Sequence, residues 1–99
     1  MAELVSKTYS EALFEVAKEE NIVDQIQAEF DFVVNSFSEY PEFFEIFTTP
    51  KINIKEKKQV VSQIFEGKIS ENMLNFIHVV LDKKRGSDIL DVKFDFDQR

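Results

Sequence analysis

Apolar residues return along this chain at steps of three and four, the spacing of a helix face rather than the alternation of a strand. In the first segment Ala2, Val5, Tyr9, Ala12, Leu13 and Val16 make one stripe, with Leu4, Phe14 and Ala17 along a second edge. Such a wide stripe can meet a core on one side and a foreign surface on the other. The helix should close near Glu20-Asn21, where Glu19 and Glu20 oppose the dipole without a local reason. Val23, Ile26, Phe30, Val33 and Phe37 predict a second helix over about 22–37, with Asp24 in its first turn. Pro41 suits the first turn of a short third helix, because its missing N–H is not needed there. That helix carries Phe43, Phe44, Ile46 and Phe47 and is stopped by Thr48-Thr49-Pro50.

Residues 48–53 read as the clearest loop. Asn53 with Glu56 resembles a capping box and opens a fourth helix holding Val60, Val61, Ile64 and Phe65, closed by Gly67 as a left-handed cap. Ser70 caps a fifth helix. Leu74, Ile77, Val80 and Leu81 form one of its faces, with Asn72, Asn75, Phe76 and Val79 beside it. Lys83, Lys84 and Arg85 are expected in its last turn, where positive charge suits a helix end, and Gly86 is expected to end it. Ser87 and Asp88 start a sixth helix with Ile89, Leu90, Val92, Phe94 and Phe96. Its apolar pattern is still running at Asp97-Gln98-Arg99, which suggests a piece of a longer chain. The strand formers Val33-Val34 and Val60-Val61 fall inside three-four patterns, so helix wins. The expected fold is all-α: a compact bundle of six short amphipathic helices in one domain of 99 residues.

Composition narrows the chemistry. Eleven Phe and no Trp point to rings used chiefly as core filler. A net charge of −7 argues against phosphate backbones and against anionic lipid. Without Cys there are no disulfides or thiolate metal sites. No signal segment appears, and no apolar run reaches the roughly 20 residues needed to insert in a bilayer.

Enzymatic motifs are absent. Gly67 and Gly86 stand too far apart for a phosphate-cradling loop. His78 is alone, which removes zinc sites built on paired His or Cys. It reads as a partly exposed surface or interface residue. Glu19-Glu20 and Asp95-Asp97 read as solvated helix ends rather than acid–base pairs, and Lys55-Glu56-Lys57-Lys58 as a solvated helix start. What remains is apolar surface, and a groove between two helices of a bundle can accept a third from another chain.

The run Tyr9-Ser10-Glu11-Ala12-Leu13-Phe14, with Ala17 three residues on, resembles the first-helix signature of the delta subunit family of bacterial F-type ATP synthase. The mitochondrial oligomycin-sensitivity-conferring protein belongs to the same family. Ser10 stands where an Ala is usual. Thr49-Pro50-Lys51-Ile52 with Lys55, Lys57 and Lys58 resembles the family's loop before its fourth helix. Ile64-Phe65 matches an aliphatic–Phe pair, and Asn75-Phe76, Leu81 and Arg85 resemble a later conserved stretch, with Lys84 where Gly is common. The resemblance covers nearly the whole chain and concerns the N-terminal domain only, residues 1–99, with the stalk-binding C-terminal domain absent.

The resemblance implies a non-catalytic stator subunit at the cytoplasmic face of the cell membrane, peripheral to it. A groove between helices one and five would hold the N-terminal helix of an alpha subunit. The absent domain would bind the b subunits of the peripheral stalk. No cofactor, metal or nucleic acid is implied. Carried over by position, the groove residues are Val5, Tyr9, Ala12, Leu13 and Val16 on helix one and Asn72, Asn75, Phe76, Val79 and Lys83 on helix five. Leu13 is also counted with Phe14, Ile77 and Leu81 as mostly core. Spacing agrees, since 5, 9, 12 and 16 share a face, as do 72, 75, 79 and 83. An unrelated helical adaptor that grips an amphipathic helix would use the same mechanism with a different partner.

Overall fold

The computed structural model describes the backbone of residues 2–99 and the side chains from Leu4 onward. Ala2, assigned to the first apolar stripe, lies outside the described side chains. Six α-helices follow in order: α1 (Ala2–Glu19), α2 (Val23–Glu39), α3 (Pro41–Thr48), α4 (Ile54–Phe65), α5 (Glu71–Asp82) and α6 (Ile89–Asp97). A 3₁₀ turn at Gly86–Asp88 precedes the last. No strand forms among the described residues.

The helix ends follow from local chemistry. After α1, Asn21 takes φ +59°. Its N–H donates to the Lys18 carbonyl and that of Ile22 to the Ala17 carbonyl, a Schellman closure. The same closure ends α5, with Lys84 at φ +60°. There Lys84 N–H donates to Leu81 O and Arg85 N–H to Val80 O. This corrects two expectations: Lys83, Lys84 and Arg85 lie beyond α5, and Gly86 does not cap it. Gly86 is needed for close approach, since a Cβ there would sit 2.8 Å from the Phe47 carbonyl oxygen. Gly67 has φ +82° and follows Glu66 at φ −57°, ψ 129°, while Lys68 N–H donates to Phe65 O. That is a type II turn, which wants Gly at its third position.

At the N-termini, Asn53 Oδ1 accepts the Glu56 N–H at 2.8 Å, and the two side chains bond at 3.1 Å. Ser70 Oγ accepts the Met73 N–H and donates to Glu29 Oε1 at 2.7 Å, tying the start of α5 to α2.

Two aromatic clusters fill the core. Phe37, Phe43, Phe44, Phe47 and Phe65 join the end of α2 to α3 and α4, with Phe37 5.0 Å from Phe47. Phe30 and Phe96 lie 5.8 Å apart and carry Phe14 and Phe76 at their edges, linking α1, α2, α5 and α6. Phe32 and Phe94 remain exposed.

The tightest pairing is α1 on α6. Its α1 side is Ser6, Ser10, Leu13 and Ala17, all buried, and the small residues let the backbones come close. Arg99 Nε donates to Ser10 Oγ at 3.0 Å. Ser6 Oγ is buried without a hydrogen-bond partner among the described residues. On α6, the buried Lys93 reaches Asp31 of α2 and Asp97, each at 2.6 Å, and its ammonium lies 5.7 Å from the Phe30 ring centre.

Candidate functional site

Because 6, 10, 13 and 17 form the core face of α1, the neighbouring stripe of 5, 9, 12 and 16 is turned outward. Val5 and Tyr9 are half-buried, while Ala12 is exposed and Val16 is 40% exposed. Leu13 does not share that outward face. At 4% exposure it is a core residue, because its position on the helix adjoins Ser6 at the edge of the buried face; its assignment to the groove is corrected.

The equivalent surface of α5 lies beside its buried side of Met73, Ile77, Val80 and Leu81. Asn75 and Lys83 are exposed, Val79 is 45% exposed, and Asn72 and Phe76 are half-buried. Phe76 also packs edge-on against Phe30 at 6.2 Å, so one ring serves both core and surface.

The two helices meet at one end. Asn72 Nδ2 donates to Glu20 Oε1 at 3.1 Å, bringing the first turn of α5 to the end of α1. The bond also supplies the missing reason for a carboxylate at that helix end. Glu15, Glu19 and Glu20 occupy the last turn and end of α1 and Glu71 the first position of α5, all exposed, with Lys18 3.9 Å from Glu15. The far end of α5 carries Lys83, Lys84 and Arg85. An uncovered apolar strip with one acidic end can bind an amphipathic helix.

Other candidate residues belong elsewhere. His78 is half-buried on the α4 side of α5, with Nε2 3.3 Å from Ser62 Oγ. Burial, then the nearby Lys58 charge, lower its pKa, while Asp82 works against them. It therefore stays neutral to lower pH than an ordinary histidine. Lys58 holds Asp82 at 3.1 Å across the same seam. Among the described residues no group of three or more metal-ligating side chains occurs, and no helix is long and apolar enough to cross a membrane.

Two features escaped the sequence reading. Lys57 does not belong to a solvated helix start: only 6% of it is exposed. Neither its burial nor the close packing at Ser6 and Ser10 follows from hydropathy, although the 6–10–13–17 spacing is itself a helix face.

Residues 5–99 match the family model described as ATP synthase delta (OSCP) subunit. Over 92 residues the chain is 41% identical to an ATP synthase subunit delta of Alkaliphilus oremlandii, covering 93% of this chain and 51% of that one. It is 38% identical over 96 residues to the corresponding subunit of Lachnoclostridium phytofermentans, covering 97% and 52%. The chain thus spans about half the length of the curated relatives it matches. Its fold is similar to that of a chain in the cryo-EM structure of the Polytomella F-ATP synthase. The TM-score there is 0.86 at 21% identity, covering 94% of this chain and 82% of that one.

Proposed function

Since this chain belongs to the ATP synthase delta (OSCP) subunit family, we propose that it is the part of a stator subunit that holds the catalytic head by gripping the N-terminal helix of an alpha subunit. The family is one of structural, non-catalytic subunits, so the work is mechanical. The domain resists the turning of the head while the central rotor moves inside it. A second domain of the whole protein would bind the b subunits of the peripheral stalk, and the assembly would lie peripherally at the cytoplasmic face of the cell membrane.

One observation carries this reading: α1 buries a serine-containing face and keeps its apolar stripe at the surface, with Ala12 and Val16 exposed and Val5 and Tyr9 half-buried. Exposed apolar surface at helical spacing is stabilised when a partner covers it. Asn72, Asn75, Phe76, Val79 and Lys83 supply the second wall. Tyr9 offers an apolar ring with a hydroxyl that can stay hydrated or reach the partner, and Ala12 lets a helix come near. The occupant is an amphipathic helix docked mainly by apolar contact. The exposed carboxylates at the end of α1 and the start of α5 would attract its positive N-terminal end.

Calorimetry with a peptide of the alpha N-terminus tests this. Binding is expected, weakened by Tyr9→Ala and by Val79→Asp while the helical circular dichroism of both variants is retained. Unchanged affinity in two folded variants would remove the assignment.

A further inference from the structure

Lys57 is nine-tenths buried on α4, yet among the described residues its ammonium has no ion pair or hydrogen bond. Its stem is packed away while the ammonium still reaches solvent, so the charge is held at this spot without a protein partner. Lys57 lines a cavity of about 640 Å³ enclosed by the 48–54 loop, the end of α5 and the 3₁₀ turn. Its other walls include Ile52, Ile54, Leu81, Lys84 and Ser87. The exposed remainder of Lys57 therefore faces this space.

The surrounding charge is unusual for an acidic protein. Of its twelve cations, Lys57 and Lys84 line the cavity, and Lys51, Lys55, Lys58, Lys83 and Arg85 each stand next to one of its lining residues in the chain. Two carboxylates of the adjoining elements are engaged, Asp82 on Lys58 and Glu56 at the Asn53 cap. The same cap uses the Glu56 N–H and leaves the Ile54 and Lys55 N–H groups of α4 without protein acceptors, donors suited to an anion.

We propose that this cavity is a binding site for a small organic phosphate, a phosphate group on a compact apolar body. Lys57 is its buried cation and Lys84 its outer one. The first-turn N–H groups of α4 and the Ser87 hydroxyl supply further donors, and charge-assisted bonds of this kind are strong. Phosphate suits the set better than carboxylate because it has three acceptor oxygens for several separate donors around the cavity. Ile52, Ile54 and Leu81 form the wall for the apolar part. The volume falls within the range of small-molecule sites. A lysine whose stem is buried near a helix start and whose ammonium meets no protein partner is thereby accounted for.

The test is an amide-shift NMR titration with phenyl phosphate, with benzyl alcohol and sodium chloride as controls. Saturable shifts at Asn53, Ile54 and Ser87 are expected with phenyl phosphate alone. Lys57→Met should weaken binding by about tenfold or more, as loss of a charge-assisted bond does, without lowering the melting temperature, because it keeps the packed stem and removes a partly desolvated cation that has no protein partner. Lys84→Ala, at an exposed position, should weaken binding without a change in stability. Shifts that grow linearly without saturating, or saturable binding indifferent to both substitutions, would overturn the proposal.

Discussion

Ala12→Asp separates the outward face of α1 from its core face. Ala12 is exposed in the free domain, so the substitution opens no cavity. Two modest costs remain for the fold. Asp is poorer than Ala inside a helix by about 0.6 kcal/mol. It also stands three residues before Glu15 and four after Thr8, so repulsion from Glu15 adds roughly 0.3 kcal/mol. A loss near 1 kcal/mol lowers the melting temperature of a domain this size by about 4–8 °C. Binding should suffer far more. A docked helix would cover position 12 and trap a carboxylate against apolar surface, at a cost of about 3 kcal/mol or more for an unpaired charge. At 1.4 kcal/mol per factor of ten, that is about a hundredfold in affinity. Thermal melts by circular dichroism and calorimetry with the alpha peptide measure both quantities. Affinity within twofold of the parent would refute the reasoning, as would loss of the folded state, which would put Ala12 in the core.

Three further outcomes are expected. Gly86→Ala forces its Cβ onto the Phe47 backbone oxygen and should cost about 1–3 kcal/mol in urea unfolding, as overpacking does; an unchanged midpoint would mean the 3₁₀ turn relaxes freely. Ser6→Ala removes an unsatisfied buried hydroxyl and should raise stability by up to about 1 kcal/mol; a lower melting temperature would show that the hydroxyl has a partner. Lys93→Met keeps the packing on Phe30 but removes the bonds to Asp31 and Asp97, at about 1–2 kcal/mol near neutral pH, because both carboxylates are partly open to solvent.

The pH dependence of that last effect has a definite sign. Burial opposes the charge on Lys93, but its bonds to Asp31 and Asp97 outweigh it and raise its pKa. Burial likewise opposes the Asp97 charge, while bonds from Gln27 and Lys93 lower its pKa overall. The Lys93 contribution is complete below the ordinary lysine range and is lost only as pH rises through its raised folded value. The Asp97 contribution is complete above the ordinary carboxylate range and is lost as pH falls through its depressed folded value. Parent and Lys93→Met stabilities should therefore converge in acid and not between neutral and mildly alkaline pH. Urea curves at several pH values check this.

Six helices were legible in the chain because each carries its own three-four pattern and most carry a chemical end signal. Asn53 and Ser70 cap as their side chains suggest. The end of α5 was not legible, because a Lys in the left-handed region has no propensity signal. Only the packing that follows makes Lys84 rather than Gly86 the turning residue. On α1 two adjoining stripes both fit a helix face. Hydropathy favours the one holding Val5, Tyr9 and Val16 as core, yet the buried positions are Ser6, Ser10, Leu13 and Ala17, and the apolar stripe stays at the surface with Tyr9 packing on the core from its edge. Leu13 sits on the border and falls to the core. Lys57 reads as surface charge, and the burial of Lys93 has no signal either, because nothing local shows what will cover them. Lys93 finds its carboxylates on α2 and one turn along α6, and Lys57 is covered by the loop and the end of α5.

The most direct test of the account is amide-shift mapping of this domain on titration with the alpha N-terminal peptide. Perturbations should concentrate on Val5, Tyr9, Ala12 and Val16 and on Asn72, Asn75, Phe76, Val79 and Lys83, with Ser6, Ser10 and Leu13 affected only through their neighbours. Perturbations centred instead on Leu90 and Phe94 of α6, or on the basic end at α4, would contradict it.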